Sequence, residues 1–175
     1  MASLNDDGAL QVLLMTFDGK LEVLDAKTGA TSWSPAISGG LRITGQVTLA
    51  RANQNTILLV PLGTNGVVAF DWRQRREIWR SPAGAAVIAT PVVADLAHDG
   101  ERQVILGTSS GEVLVLRLTD GKTLWRAKVA NKLIAADPAV ADLNHDGIDD
   151  VLIASHDFTL YAIDGREIIS AWRRP

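Results

Sequence analysis

Hydrophobic and polar positions alternate only in part along this chain, over short β-branched stretches, and no helical period is sustained. Gln11 to Phe17, Thr56 to Leu62, Gln103 to Thr108 and Asp150 to Ser155 form one set, ending at Asp18-Gly19, Asn65-Gly66, Ser110-Gly111 and Asp157-Phe158. Lys20 to Leu24, Val67 to Phe70, Glu112 to Leu116 and Thr159 to Ile163 follow those pairs. Short, β-branched segments of this kind read as strands, and three of the four pairs have tight-hairpin chemistry. Upstream, Ile43 to Ala50, Thr90 to Ala94 and Asp137 to Ala141 supply a further strand.

The tryptophans measure the repeat. Trp33, Trp79, Trp125 and Trp172 recur at intervals of 46, 46 and 47 residues, each about one hairpin after Asp25, Asp71, Arg117 or Asp164. Counting a strand at each tryptophan, one period holds four antiparallel strands, the mark of a propeller blade, which must stack because a single sheet cannot bury both faces. The expected fold is all-β: a propeller of about four four-stranded blades near residues 4–37, 41–83, 86–129 and 133–175. It is a partial ring, or half of an eight-bladed one. The first blade is expected to lack its inner strand. The periodic tryptophans should fill the spaces between blades, and Trp72, off the period, should be exposed.

Composition narrows the function classes. The 175 residues are 47% hydrophobic and 21% charged, too apolar for a disordered chain, and their apolar runs are interrupted by Gly, Pro, Asn or Thr. Disorder and membrane insertion are therefore not expected. A net charge of −3 offers no general field for a polyanion, so nucleic acid is not an expected partner. With Cys 0 there is no disulfide, thiolate metal site or cysteine nucleophile.

Two stretches carry a family resemblance. Asp25, Thr28, Gly29 and Trp33 form Asp-x-x-Thr-Gly-x-x-x-Trp, which resembles the tryptophan-docking motif of pyrroloquinoline-quinone-type propeller repeats. Pro91-Val-Val-Ala-Asp-Leu96, followed by Asp99-Gly100, and its counterpart from Pro138 resemble FG-GAP repeats, found in integrin α-chains and many secreted bacterial proteins. From Gly39 to Asn55 the acidic loop is missing.

In the fourth repeat, Asp142, Asn144, Asp146 and Asp150 stand at positions 1, 3, 5 and 9 of a loop with Gly147 at 6, and the Ile148 carbonyl at 7 completes an oxygen-rich set. This spacing predicts a Ca²⁺ site. It is not an EF-hand, because Ile153 stands where a bidentate Glu would be needed. The competing reading is that Asp and Asn simply suit a tight turn. The third repeat carries a decayed version, with Asp95, Ala97, Asp99, Gly100 and Gln103; the first retains Asn5 and Asp7 between Ser3 and Gln11. His98 and His145 share a non-ligand position and read as exposed turn residues.

Catalytic groups are sparse: one Tyr, three His and no nucleophile or phosphate-cradling motif. The quinone-dependent dehydrogenases that share the docking motif hold their cofactor in a complete ring, commonly above a vicinal disulfide that a cysteine-free chain cannot form. Trp72, Arg73, Arg75 and Arg76, with Arg80, form a basic and aromatic cluster where a partner could dock. The expected function is a non-catalytic, calcium-stabilised module for binding a protein or glycan, for adhesion or for scaffolding, at the cell exterior or in the periplasm. The alternatives are a piece of a quinone-type enzyme, or a scaffold resembling the propeller lipoprotein of outer-membrane assembly. Incomplete closure predicts a homodimer or a segment of a longer propeller.

Overall fold

The computed structural model describes residues 2–3, 9–16, 18–37, 43–52 and 55–172. Blade one contains β1 (Ala2–Ser3), β2 (Leu10–Met15), β3 (Leu21–Asp25) and β4 (Thr31–Trp33). Blade two contains β5 (Thr48–Ala52), β6 (Asn55–Pro61), β7 (Val67–Asp71) and β8 (Arg76–Ser81). Blade three has β9 (Val92–Ala94), β10 (Gln103–Gly107), β11 (Glu112–Arg117) and β12 (Thr123–Lys128). Blade four has β13 (Ala139–Ala141), β14 (Asp150–Ala154) and β15 (Leu160–Ile163), then α1 (Gly165–Trp172). Within each sheet, neighbours in sequence are antiparallel neighbours in space. The pairing slips once per four-stranded blade, after Val23, Ala69 and Val115, which are equivalent positions of the repeat.

Strand alternation sends one face of each sheet to the preceding blade and the other to the following one. Leu58, Val60, Val68 and Phe70 meet Leu21 and Val23 of blade one. Leu59, Ala69 and Trp79 meet Leu106, Leu114 and Leu116 of blade three. Ile105, Val113 and Val115 meet Val151, Ile153 and Ile163 of blade four. The core is thus three apolar seams between blades.

Two expectations are corrected. The first blade has an innermost strand, since β1 pairs with β2 through Ala2↔Gln11 and Ser3↔Leu10. In the fourth blade a helix takes the place of the tryptophan strand. In blades one to three the turn before that strand uses a left-handed residue, Gly29 at φ 71°, Arg75 at φ 55° and Gly121 at φ 70°. The equivalent in blade four is Ile168, whose branched Cβ resists that conformation, so the turn cannot form. The Asp164 side chain caps the start instead, accepting Arg166 N–H at 2.7 Å, and Ile168 and Ile169 are buried against blade three.

Candidate functional site

The periodic tryptophans work as seam residues, with differences between blades. Trp79 is buried, donates from Nε1 to the Leu118 carbonyl at 2.9 Å and lies against Gly121 of the next blade. Trp33 and Trp125 are half-buried, Trp33 against blade two and Trp125 in the blade three–four seam. The side chain of Trp172 lies outside the described residues.

Trp72 corrects the expectation of exposure, being only 3% exposed. It continues the alternating face of Val68 and Phe70 and so falls in the blade one–two seam. Its ring meets Trp33 at 5.8 Å and 73°, and the Arg75 guanidinium lies 3.2 Å over its centroid. Arg75 also lies 5.6 Å from Trp33, and burial lowers the pKa of its guanidinium. The period-two pattern beyond Phe70 carried this signal; the 46-residue ruler concealed it. Of the cluster, Arg73, Arg75 and Arg76 stay on the surface, and Arg80 pairs with Glu77 at 2.8 Å.

The acidic loop of blade four is closed largely by its own backbone. Asp142 accepts Asp146 N–H at 3.1 Å on Oδ1 and Gly147 N–H at 3.0 Å on Oδ2. Asn144 Oδ1 shares the Asp146 N–H at 3.0 Å, and Asp146 Oδ1 accepts Ile148 N–H at 2.9 Å. Asp150, buried, accepts Leu143 N–H at 3.1 Å and Gly165 N–H at 2.9 Å, binding loop and helix together. Arg166 of α1 donates to Asp146 Oδ2 and, at 3.3 Å, to its carbonyl. Burial raises the pKa of the Asp146 carboxyl, but Arg166 and the Ile148 N–H outweigh it, so the net direction is down.

The donor types suit calcium, and a cation there would compete with the guanidinium of Arg166 for Asp146. Asp146 faces a guanidinium, and among the described residues no three His, Cys, Asp or Glu side chains are grouped to hold a metal. In blade three Asp95 accepts Asp99 N–H at 3.0 Å and Gly100 N–H at 2.7 Å, while Gln103 donates to the Glu101 carbonyl at 2.7 Å. Asn5 and Asp7 lie outside the described residues. His98 and His145 take left-handed backbone at φ 53° and 59°, and His98 Nε2 lies 3.3 Å from Asp149 of blade four.

Two sheet faces have no partner blade among the described residues. On blade one, Leu10, Val12, Leu14 and Leu24 occupy the register that Leu58, Val60 and Phe70 occupy in the blade one–two seam. On blade four, Leu152, Ala154, Leu160 and Ala162 occupy the register of Leu59 and Ala69 in the blade two–three seam. Leu10 is 52% exposed and Leu160 66%. Among the described residues no helix is long and apolar enough to cross a membrane.

Comparison with known proteins follows the architecture. The family model described as outer membrane protein assembly factor BamB matches residues 6–175. BamB from Moraxella catarrhalis superposes with a TM-score of 0.64 at 19% identity, over 93% of this chain and 46% of that one. The C-terminal domain of Pseudomonas aeruginosa PilY1 gives 0.69 at 20% identity, over 89% and 38%. A quinohemoprotein alcohol dehydrogenase from Pseudomonas putida gives 0.62 at 17%, over 88% and 31%. The chain spans less than half the length of each of these structures. A search of curated proteins finds no match. The family match supports the tryptophan-docking resemblance and leaves the FG-GAP one resting on the acidic-loop residues alone. With the docking motif, the four repeats and a match over nearly its whole length, this chain belongs to the BamB family of quinone-type propeller repeats.

Proposed function

We propose that the chain is a non-catalytic propeller module that docks a protein partner at the cell exterior or in the periplasm, as an outer-membrane assembly scaffold does. The carrying observation is the pair of uncovered sheet faces, which repeat in register the two halves of a made blade seam. Such faces call for more blades, and the isolated chain obtains them by pairing head to tail with a second copy, closing a twofold ring. In a longer natural chain, further blades fill the same role. Support for a non-catalytic role comes from the uses found for the acidic side chains. Asp25, Asp95, Asp142 and Asp150 accept backbone N–H groups at turns, a structural task. The quinone-enzyme alternative rests on the shared fold and the docking motif.

Light scattering coupled to size exclusion tests the pairing. Twice the mass of the 18.7 kDa chain is expected, with return to monomer when Leu14→Asp places a charge on the uncovered face of blade one. A monodisperse monomer at every concentration overturns the pairing.

A second reading keeps calcium as a stabiliser of the fourth loop. It is favoured by the sharing of one N–H between Asp142 Oδ1 and Asn144 Oδ1, which draws two oxygen donors together. It requires Arg166 to leave Asp146.

A further inference from the structure

The repeat supplies its own comparison, because a residue that departs from its sister blades stands out against them. Asp25, Asp71 and Asp164 hold one position of the repeat, and each carboxylate accepts N–H groups of the turn that follows: Thr28 at 2.7 Å, Gln74 at 2.8 Å and Arg166 at 2.7 Å. Blade three has Arg117 there, and its turn is capped by Asp120, which accepts Lys122 N–H at 3.0 Å. A second reversal lies in the acidic loop, where Asp149 of blade four corresponds to Arg102 of blade three. Neither change is needed to build a blade, since the sister blades do without it.

The fold brings the two reversals together. Arg102 and Arg117 line a groove of about 510 Å³ with Arg51, from the end of β5, between blades two and three. That volume lies within the range of roughly 300–1,000 Å³ usual for small-ligand sites. Arg102 donates from Nη1 to the Arg51 carbonyl at 3.2 Å, and no described carboxylate forms an ion pair with Arg51 or Arg102. Arg117 donates to Asp120 at 3.0 Å, while its Nε is buried with no hydrogen-bond partner. Glu101 is the one carboxylate on the lining, and Leu118 and Ala52 give it apolar surface.

We infer that this groove is an oxyanion-binding site, taking a carboxylate or phosphate group borne on a small or chain-like ligand. A guanidinium offers a planar fork of donors that matches two oxygens of either group. Three such forks, set against Glu101 on the lining and Asp120 paired with Arg117, still leave an excess of positive charge in a concave place, where it is screened less than on open surface. The site lies between two blades of the same chain, so it does not depend on how the ring is completed.

The test titrates the whole chain at low salt with fluorescein-labelled hexaglutamate, followed by anisotropy, and separately with inorganic phosphate, followed by amide NMR shifts at residues 100–102 and 117–119. Arg102→Asp and Arg117→Asp install the residues of the sister blades, and thermal melts establish that each variant is folded. Arg102 is in a surface loop, so its variant serves even if the other fails to fold. Saturable binding is expected, weakened about tenfold or more by either change, strengthened by Glu101→Gln and reduced by added salt. Peptide binding alone assigns the carboxylate, phosphate binding alone the phosphate, and binding of both their shared chemistry. No saturation with either probe, or affinity unchanged in folded Arg102→Asp, overturns the site.

Discussion

Docking of Trp79 on Gly121 is open to a controlled perturbation, because the repeat contains the same glycine without the tryptophan. Gly29 and Gly121 share the left-handed backbone, at φ 71° and 70°. A Cβ on Gly121 would stand 2.4 Å from Cε3 of Trp79, whereas one on Gly29 meets nothing within 4 Å. Alanine at either position pays the left-handed cost of about 1–2 kcal/mol. Only Gly121→Ala also drives a methyl into a packed seam, adding about 1–3 kcal/mol of overpacking. The expected losses are therefore about 1–2 kcal/mol for Gly29→Ala and about 2–5 kcal/mol for Gly121→Ala. In a Trp79→Leu background the obstructing ring is gone, and Gly121→Ala should fall to the cost of Gly29→Ala. Urea unfolding of the dilute chain, compared at constant m value, measures all members of this cycle. Equal losses at the two glycines, or a Gly121→Ala penalty that survives Trp79→Leu, would refute the docking.

Trp72→Ala should cost about 3–5 kcal/mol, as for a large aromatic core residue, and urea midpoints near those of the parent would show that its burial contributes little. Arg166→Ala tests the fourth loop: with the guanidinium gone, millimolar calcium should raise the melting temperature more than in the parent, and no calcium response in either chain would leave the loop a turn. Glu112 accepts from Arg126 at 3.1 and 2.7 Å, and that hydrogen bond holds its carboxyl below the usual range. A depressed folded-state pKa contributes stability above the unfolded value and loses it as pH falls through the folded one. Melting temperature should therefore drop as pH passes below about 4.3, and less steeply in Glu112→Gln.

The strands, the hairpins and the blade count were legible along the chain, because a strand buried on both faces writes a short β-branched apolar run bounded by turn residues, and a stacked repeat writes a fixed interval. The acidic loops were legible as loops, since Asp and Asn at alternate positions close on backbone N–H groups whether or not a metal is present. What Asp146 faces was decided by the tertiary structure, which brings Arg166 to it from 20 residues away. The same holds for Trp72, whose off-period position suggested exposure, though its place on the Val68 and Phe70 face buries it against blade one. The final helix had a local signal in Ile168, a branched residue where the turn needs a left-handed one, but its effect shows only when the blades are superimposed. The arginine groove could not be read from order alone: Arg51, Arg102 and Arg117 belong to two blades, and only the stacking of those blades makes their charges neighbours.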